Sequence, residues 1–183
     1  MSVMLSYMCA LAGAPMRVSH GASSMEDEMS NETPEQRLAA LGLTLPPVPK
    51  PIGSYVPWRV EGNMLWTSGQ GPRRADGVPV KGKVPSEMSI EEAYENARMV
   101  GLGLLAAAAE GAGGLSKLKV VKVLGMVNAD PDFNDHPKVI NGCSDLFVAV
   151  LGENGKHARS AVGFASLPNR IPVEIEAIFT ILD

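Results

Sequence analysis

Apolar and polar residues near the C-terminus alternate strictly. Val173, Ile175, Ala177, Phe179 and Ile181 fall on one side, and Glu174, Glu176, Ile178, Thr180 and Leu182 on the other. That period of two predicts a half-buried strand. Upstream the period changes. Ala93, Ala97, Val100, Leu104 and Ala108 recur at helical spacing behind Ser89-Ile-Glu-Glu92, a capping box in which serine and glutamate satisfy each other's backbone N–H groups. Gly111 is the expected stop of this helix. A second helix is expected over residues 137–151, with Ile140, Cys143, Phe147 and Val150 as its apolar stripe.

Between the helices, residues 118–127 are apolar on both faces and predict a strand. Two further strands are expected near 56–60 and 64–68, joined by Glu61-Gly62-Asn63, a turn suited to a hairpin. Thr33-Pro34-Glu35-Gln36 reads as a helix start, and that short helix should end at Gly42. Four prolines in residues 45–51 exclude a helix there and predict an extended strap. Residues 69–85, rich in Gly and Pro, read as a loop.

After the short helix, the order β-β-α-β-α-β-β predicts one mixed sheet with both helices on one face. The other face keeps large apolar groups, which an oligomer closing sheet against sheet would cover.

Charges appear where burial makes them costly. Arg159 opens one apolar strand, and Glu174 and Glu176 lie in the next, beyond a Leu167-Pro168 turn. Each group loses several kcal/mol of hydration, on the order expected for buried charges, unless it is paired or serves a ligand. A structural salt bridge across neighbouring strands and a ligand site are both open readings. Other candidates fail on their chemistry. Gly77 to Lys83 has phosphate-loop spacing, but Val84 stands where a Ser or Thr must hold magnesium. Asp130, Asp132, Asn134 and His136 alternate like a calcium loop, yet the required glycine and the final glutamate are missing. That stretch reads instead as a polar loop capping the second helix, with Asp135 near the helix start. His157 reads as a neutral strand-end histidine.

Composition narrows the function classes. The chain has 183 residues and a net charge of −4, enough for one domain with a core and without a basic stripe for a phosphate backbone. Two Trp, three Tyr and four Phe leave little for base stacking. Cys9 and Cys143 offer neither a disulfide framework nor metal spacing, and no apolar run is long enough to span a bilayer. A soluble, cytoplasmic protein is expected. Residues 1–24 lack acids, carry Arg17 and include a mildly apolar patch. They read as an unstructured tail, with a mitochondrial transit peptide as the alternative. We expect residues 1–32 to be a flexible tail and 33–183 a single domain, with 33–51 as its lead-in.

With the elements in this order, several motifs carry a resemblance. They are Ile52-Gly-Ser-Tyr-Val56, Gly62-Asn-Met-Leu-Trp-Thr-Ser-Gly-Gln70, Ala158-Arg-Ser-Ala-Val162, Leu167-Pro168 and Val173-Glu-Ile-Glu-Ala-Ile178. Together the sequence resembles the RidA/YjgF family, the reactive-intermediate deaminases once labelled L-PSP endoribonucleases. The lead-in, Asn141-Gly-Cys-Ser-Asp145 and His157-Ala-Arg159 resemble a longer branch of it. The resemblance implies an α+β, chorismate-mutase-like sheet with two helices, assembled as a homotrimer around a central β-barrel with clefts between subunits. It implies that Arg159 holds a substrate carboxylate and Glu174 activates water. Tyr55, Asn141 and backbone groups of Ser68, Gly69 and Gln70 would line the pocket. Ala161 replaces a cysteine common in the family, which argues against thiol-dependent redox chemistry.

The implied reaction is hydrolysis of an enamine or imine to a 2-keto acid and ammonia, with no metal or organic cofactor. The implied partners are a small carboxylate substrate and copies of the same chain, with neither membrane nor nucleic acid. Two other readings stay open: a non-catalytic carboxylate binder using the same arginine, and a ribonuclease.

Overall fold

The computed structural model describes residues 32–183 except position 52. The tail and transit-peptide readings, up to residue 31, lie outside the described residues. A short helix, α1 (Pro34–Ala40), is closed by the expected Thr33–Gln36 capping box. The hairpin follows as β1 (Trp58–Glu61) and β2 (Met64–Thr67), with Gly62 at φ 59° in its turn. Then come α2 (Ile90–Ala112), β3 (Leu118–Asn128), α3 (His136–Leu151), β4 (Ala158–Phe164) and β5 (Val173–Ile181). The strands form one mixed sheet in the order β1-β2-β5-β3-β4, in which only β3 and β4 run parallel. The fold is thus α+β with one five-stranded sheet and three helices.

The alternating stretch behaves as expected. Val173, Ile175, Ala177 and Phe179 are buried, while Glu174, Glu176, Ile178 and Thr180 stay accessible on the opposite face. Phe179 meets Phe147 of α3 with ring centroids 5.9 Å apart. Each such ring contributes about 1.5–3 kcal/mol by burial. The helices sit very close, because Gly142 of α3 faces the carbonyl of Tyr94 on α2 where any Cβ would overlap it.

Two sequence expectations are corrected. Helix α2 does not stop at Gly111 but runs to Ala112, and Gly113 (φ 84°) caps it. Gly111 serves packing instead: a Cβ there would collide with Leu65 and Trp58 of the hairpin. Asp135 stands at the start of α3, but its carboxylate pairs with Lys138 Nζ at 2.9 Å rather than capping a backbone N–H.

The third correction bears on function. Arg159 and Glu174 are not on neighbouring strands, because β3 lies between β4 and β5. The crossover through α3 sets β4 parallel beside β3, and β5 then returns antiparallel on the free side of β3. Val123 of β3 is opposite both Arg159 and Ala177, so Arg159 shares the buried, helix-covered face. Glu174 is opposite Met126 and belongs to the open face. No ion pair among the described residues involves Arg159. The salt-bridge reading therefore fails.

The open face carries Trp66, Val121, Val162 and Phe164, each about two-fifths exposed. Among the described residues no helix is long and apolar enough to cross a membrane.

Candidate functional site

One protomer holds two separate clusters of the expected site residues. The first surrounds Glu174. A cleft of about 570 Å³ is lined by Tyr55, Thr67, Ser68, Gly69, Gly71, Pro168, Ile171, Glu174 and Glu176. Glu174 is half-buried. Desolvation, and then the neighbouring Glu176 charge, raise its carboxyl above the ordinary glutamate value. That is how an acid is tuned to exchange protons nearer neutrality.

The Ser68-Gly69-Gln70 run reaches the cleft unevenly. Ser68 N–H donates to the Pro57 carbonyl and its hydroxyl to the Val56 carbonyl. Gln70 exchanges both backbone hydrogen bonds with Ile175, and its side chain, only 7% exposed, turns beneath Gly103 of α2. Gly69 N–H has no acceptor among the described residues, so of the three it is the donor open to a ligand. Gly69 also makes room: a Cβ there would overlap Glu174 Oε1. Gly69→Val is therefore expected to displace the Glu174 carboxylate, and if that carboxylate is a reacting group kcat/KM should fall roughly 100-fold, the cost of misplacing one by about 1 Å. The melting temperature should change little, and steady-state kinetics beside a thermal melt checks both.

The second cluster surrounds Arg159. Its Nη1 donates to Asn141 Oδ1 at 2.9 Å and to Ser144 Oγ at 3.0 Å, both on α3. Helical spacing sets Asn141 and Ser144 one turn apart, facing the start of β4. Ser144 Oγ also lies 3.0 Å from His157 Nε2, and His157 Nδ1 lies 2.6 Å from the Gly155 carbonyl. A carbonyl only accepts, so Nδ1 carries the proton and Nε2 takes the one from Ser144. Burial holds the imidazole below its ordinary pKa. The Gly155 hydrogen bond opposes this, and the Arg159 charge adds to it.

Ser144 and His157 were not among the residues expected at the site. The signal was present in their spacing from Asn141 and Arg159, but nothing in one sequence joins a helix face to a strand end. Ala161 lies on the face of Arg159, packed against the core. Cys143 is fully buried, and burial pushes its thiol far up, so it is no nucleophile.

The fold and these two polar clusters define a small α+β protein of the chorismate-mutase-like type. The chain belongs to the YjgF family: the model described as "YjgF/chorismate_mutase-like, putative endoribonuclease" matches residues 35–172. Among relatives, it is 36% identical over 143 residues to "Protein TCP17" of Trypanosoma cruzi, spanning 77% of this chain and 89% of that one. It is 31% identical over 140 residues to a 2-iminobutanoate/2-iminopropanoate deaminase of Dermatophagoides farinae, spanning 76% and 94%. The crystal structure of the Agrobacterium tumefaciens protein Atu1372 superposes with a TM-score of 0.75 at 41% identity, covering 81% of this chain and 92% of that one.

Proposed function

We propose that this protein is a hydrolytic deaminase of reactive imines and enamines, working in clefts shared between protomers of a homotrimer. The observation that carries the reading is the separation described above. A guanidinium with a free edge lies on one face of the sheet, and a proton-tuned carboxylate in an open cleft lies on the other. Neither half performs the reaction alone. Trp66, Val162 and Phe164 give the open face an apolar surface for a closed assembly, and in this reading the arginine of one copy completes the cleft of the next. The kinship with an iminobutanoate deaminase supports the choice of chemistry.

In this reading Arg159 grips the substrate carboxylate by two parallel charged hydrogen bonds. The Glu174 carboxylate takes a proton from water as its oxygen attacks the imine carbon. The same proton then passes to nitrogen, giving a carbinolamine, and as its hydroxyl proton is carried to nitrogen by the carboxylate the C–N bond breaks, releasing ammonia and a 2-keto acid. One water is consumed, and no electron changes hands. General acid–base help of this kind is worth about 10²–10⁴ in rate, enough where the uncatalysed hydrolysis is already quick. Tyr55, with Gly69 N–H, would border the substrate. Asn141 holds Arg159.

The ribonuclease reading is disfavoured by a net charge of −4 and by a cleft lined by no Lys or Arg, since a polyanion needs several cationic contacts where one small carboxylate needs a single arginine. The test is turnover of a 2-imino acid generated freshly in the assay. We expect accelerated keto-acid release that changes little between 50 and 200 mM salt, whereas an RNA site would weaken steeply over that range. No acceleration over buffer would sink the proposal.

A further inference from the structure

We propose that Ser144 and His157 are positioning residues, forming a one-way hydrogen-bond chain that makes Arg159 present its Nε–Nη2 edge to the ligand. The inference rests on the reading that Arg159 holds a carboxylate. Both hydrogens of Nη1 are already spent, on Asn141 Oδ1 and Ser144 Oγ. What remains is the Nε–H and the two hydrogens of Nη2, the edge that meets a carboxylate with two parallel bonds. Arg159 can only donate, so Ser144 accepts from it through a lone pair, and committing the hydroxyl proton elsewhere fixes where that lone pair points. His157 Nε2 takes that proton, because the Gly155 carbonyl holds the other ring proton on Nδ1. Donation therefore runs from Arg159 to Ser144 to His157 to Gly155.

The rest of the chain is rigid. Gly155 sits where a Cβ would overlap the Phe147 carbonyl, which fixes the acceptor. The His157 ring stands edge-on to Phe147, centroids 5.9 Å apart, which fixes its plane. Apolar side chains could fill this half-buried space at lower cost than a polar chain whose every member must be satisfied. Orienting the guanidinium gives the polar chain a purpose.

The test uses the full chain and three variants. Ser144→Ala deletes the relay, Ser144→Thr keeps the hydroxyl, and His157→Phe keeps the ring against Phe147 while removing the acceptor. Binding of 2-oxobutanoate, a non-reacting carboxylate, is measured by calorimetry, imine turnover by KM and kcat, and the His157 tautomer by ¹⁵N NMR. Ser144→Ala and His157→Phe should each raise Kd and KM about 10-fold, the size of one lost hydrogen bond to a charged group, with kcat within about twofold. The double variant should be no worse than about either single one, because both break the same chain. Ser144→Thr should recover binding to within about threefold of wild type.

The wild-type NMR signature should be the Nδ1–H tautomer. An Nε2–H tautomer, or unchanged Kd in both folded variants, overturns the proposal even if imines are turned over. Conversely, a protein that hydrolyses no imine yet shows these Kd shifts loses the deaminase reading and keeps this one. A wild-type protein that binds no carboxylate removes both.

Discussion

Arg159→Ala should all but remove imine hydrolysis, lowering kcat/KM by roughly two to four orders of magnitude while the protein stays folded. The size follows from two charge-assisted hydrogen bonds, each worth about 1.5–3 kcal/mol, and from the substrate anion left unpaired in the cleft. Folding should survive because Arg159 sits near the start of an edge strand, half-buried, and among the described residues its side chain bonds Asn141 and Ser144 alone. Arg159→Lys should recover little. An ammonium is a point charge without the planar fork, and a single donor group cannot satisfy Asn141, Ser144 and a carboxylate in the geometry that Arg159 offers. Steady-state kinetics on a freshly generated imino acid, beside circular dichroism, measures both. Full activity in Arg159→Ala would mean that the carboxylate is held elsewhere.

Glu174→Gln should remove turnover and leave carboxylate binding intact, because the amide fills the same space but cannot take a proton from water. We expect kcat to fall about 10²–10⁴-fold and the affinity for 2-oxobutanoate to stay within about threefold of wild type. The stability effect has a definite sign. Glu174 titrates above the ordinary glutamate value, so the folded protein carries the cost of its charged form once pH exceeds that raised value. Removing the charge should leave the melting temperature near neutral pH equal or higher, a trade of stability for activity.

The same shift gives a pH profile. As the base, Glu174 must be ionised, so activity should fall as pH drops through a value above the ordinary glutamate range. In Glu176→Gln that acid limb should move to lower pH, because the second-largest cause of the shift is gone. An unmoved limb, or loss of ligand binding in Glu174→Gln, would contradict the assigned role.

Much of this was legible in the chain. The Ser89 capping box, the Gly62 turn and the two apolar stripes are local patterns, and local sterics and burial fix them. The alternation in residues 173–181 correctly separated the core-facing set from the acids on the opposite face. Strand order was not legible. Arg159 and Glu174 are 15 positions apart and separated by a turn, which looks like a hairpin. The α3 crossover and the two-sided apolar character of β3 instead make β3 a central strand between them.

Gly111 misled for a related reason. A glycine near a helix end is usually a stop, but here it admits Trp58 and Leu65, contacts no local pattern encodes. The link between Ser144 and His157 was not legible because it exists only after α3 is laid across the start of β4. The residues of one proposed site were thus readable, and their division between two faces was not.

That division makes subunit complementation the most direct measurement. Arg159→Ala and Glu174→Gln proteins, each expected to be inactive, are unfolded together and refolded as mixed oligomers, which in the proposed assembly are trimers. If each site takes its arginine from one protomer and its glutamate from the next, every mixed trimer regains one intact site of three, and random mixing restores about a quarter of wild-type activity. If the site lies within one protomer, mass spectrometry would show mixed oligomers with no activity restored, and the shared-cleft account would be wrong.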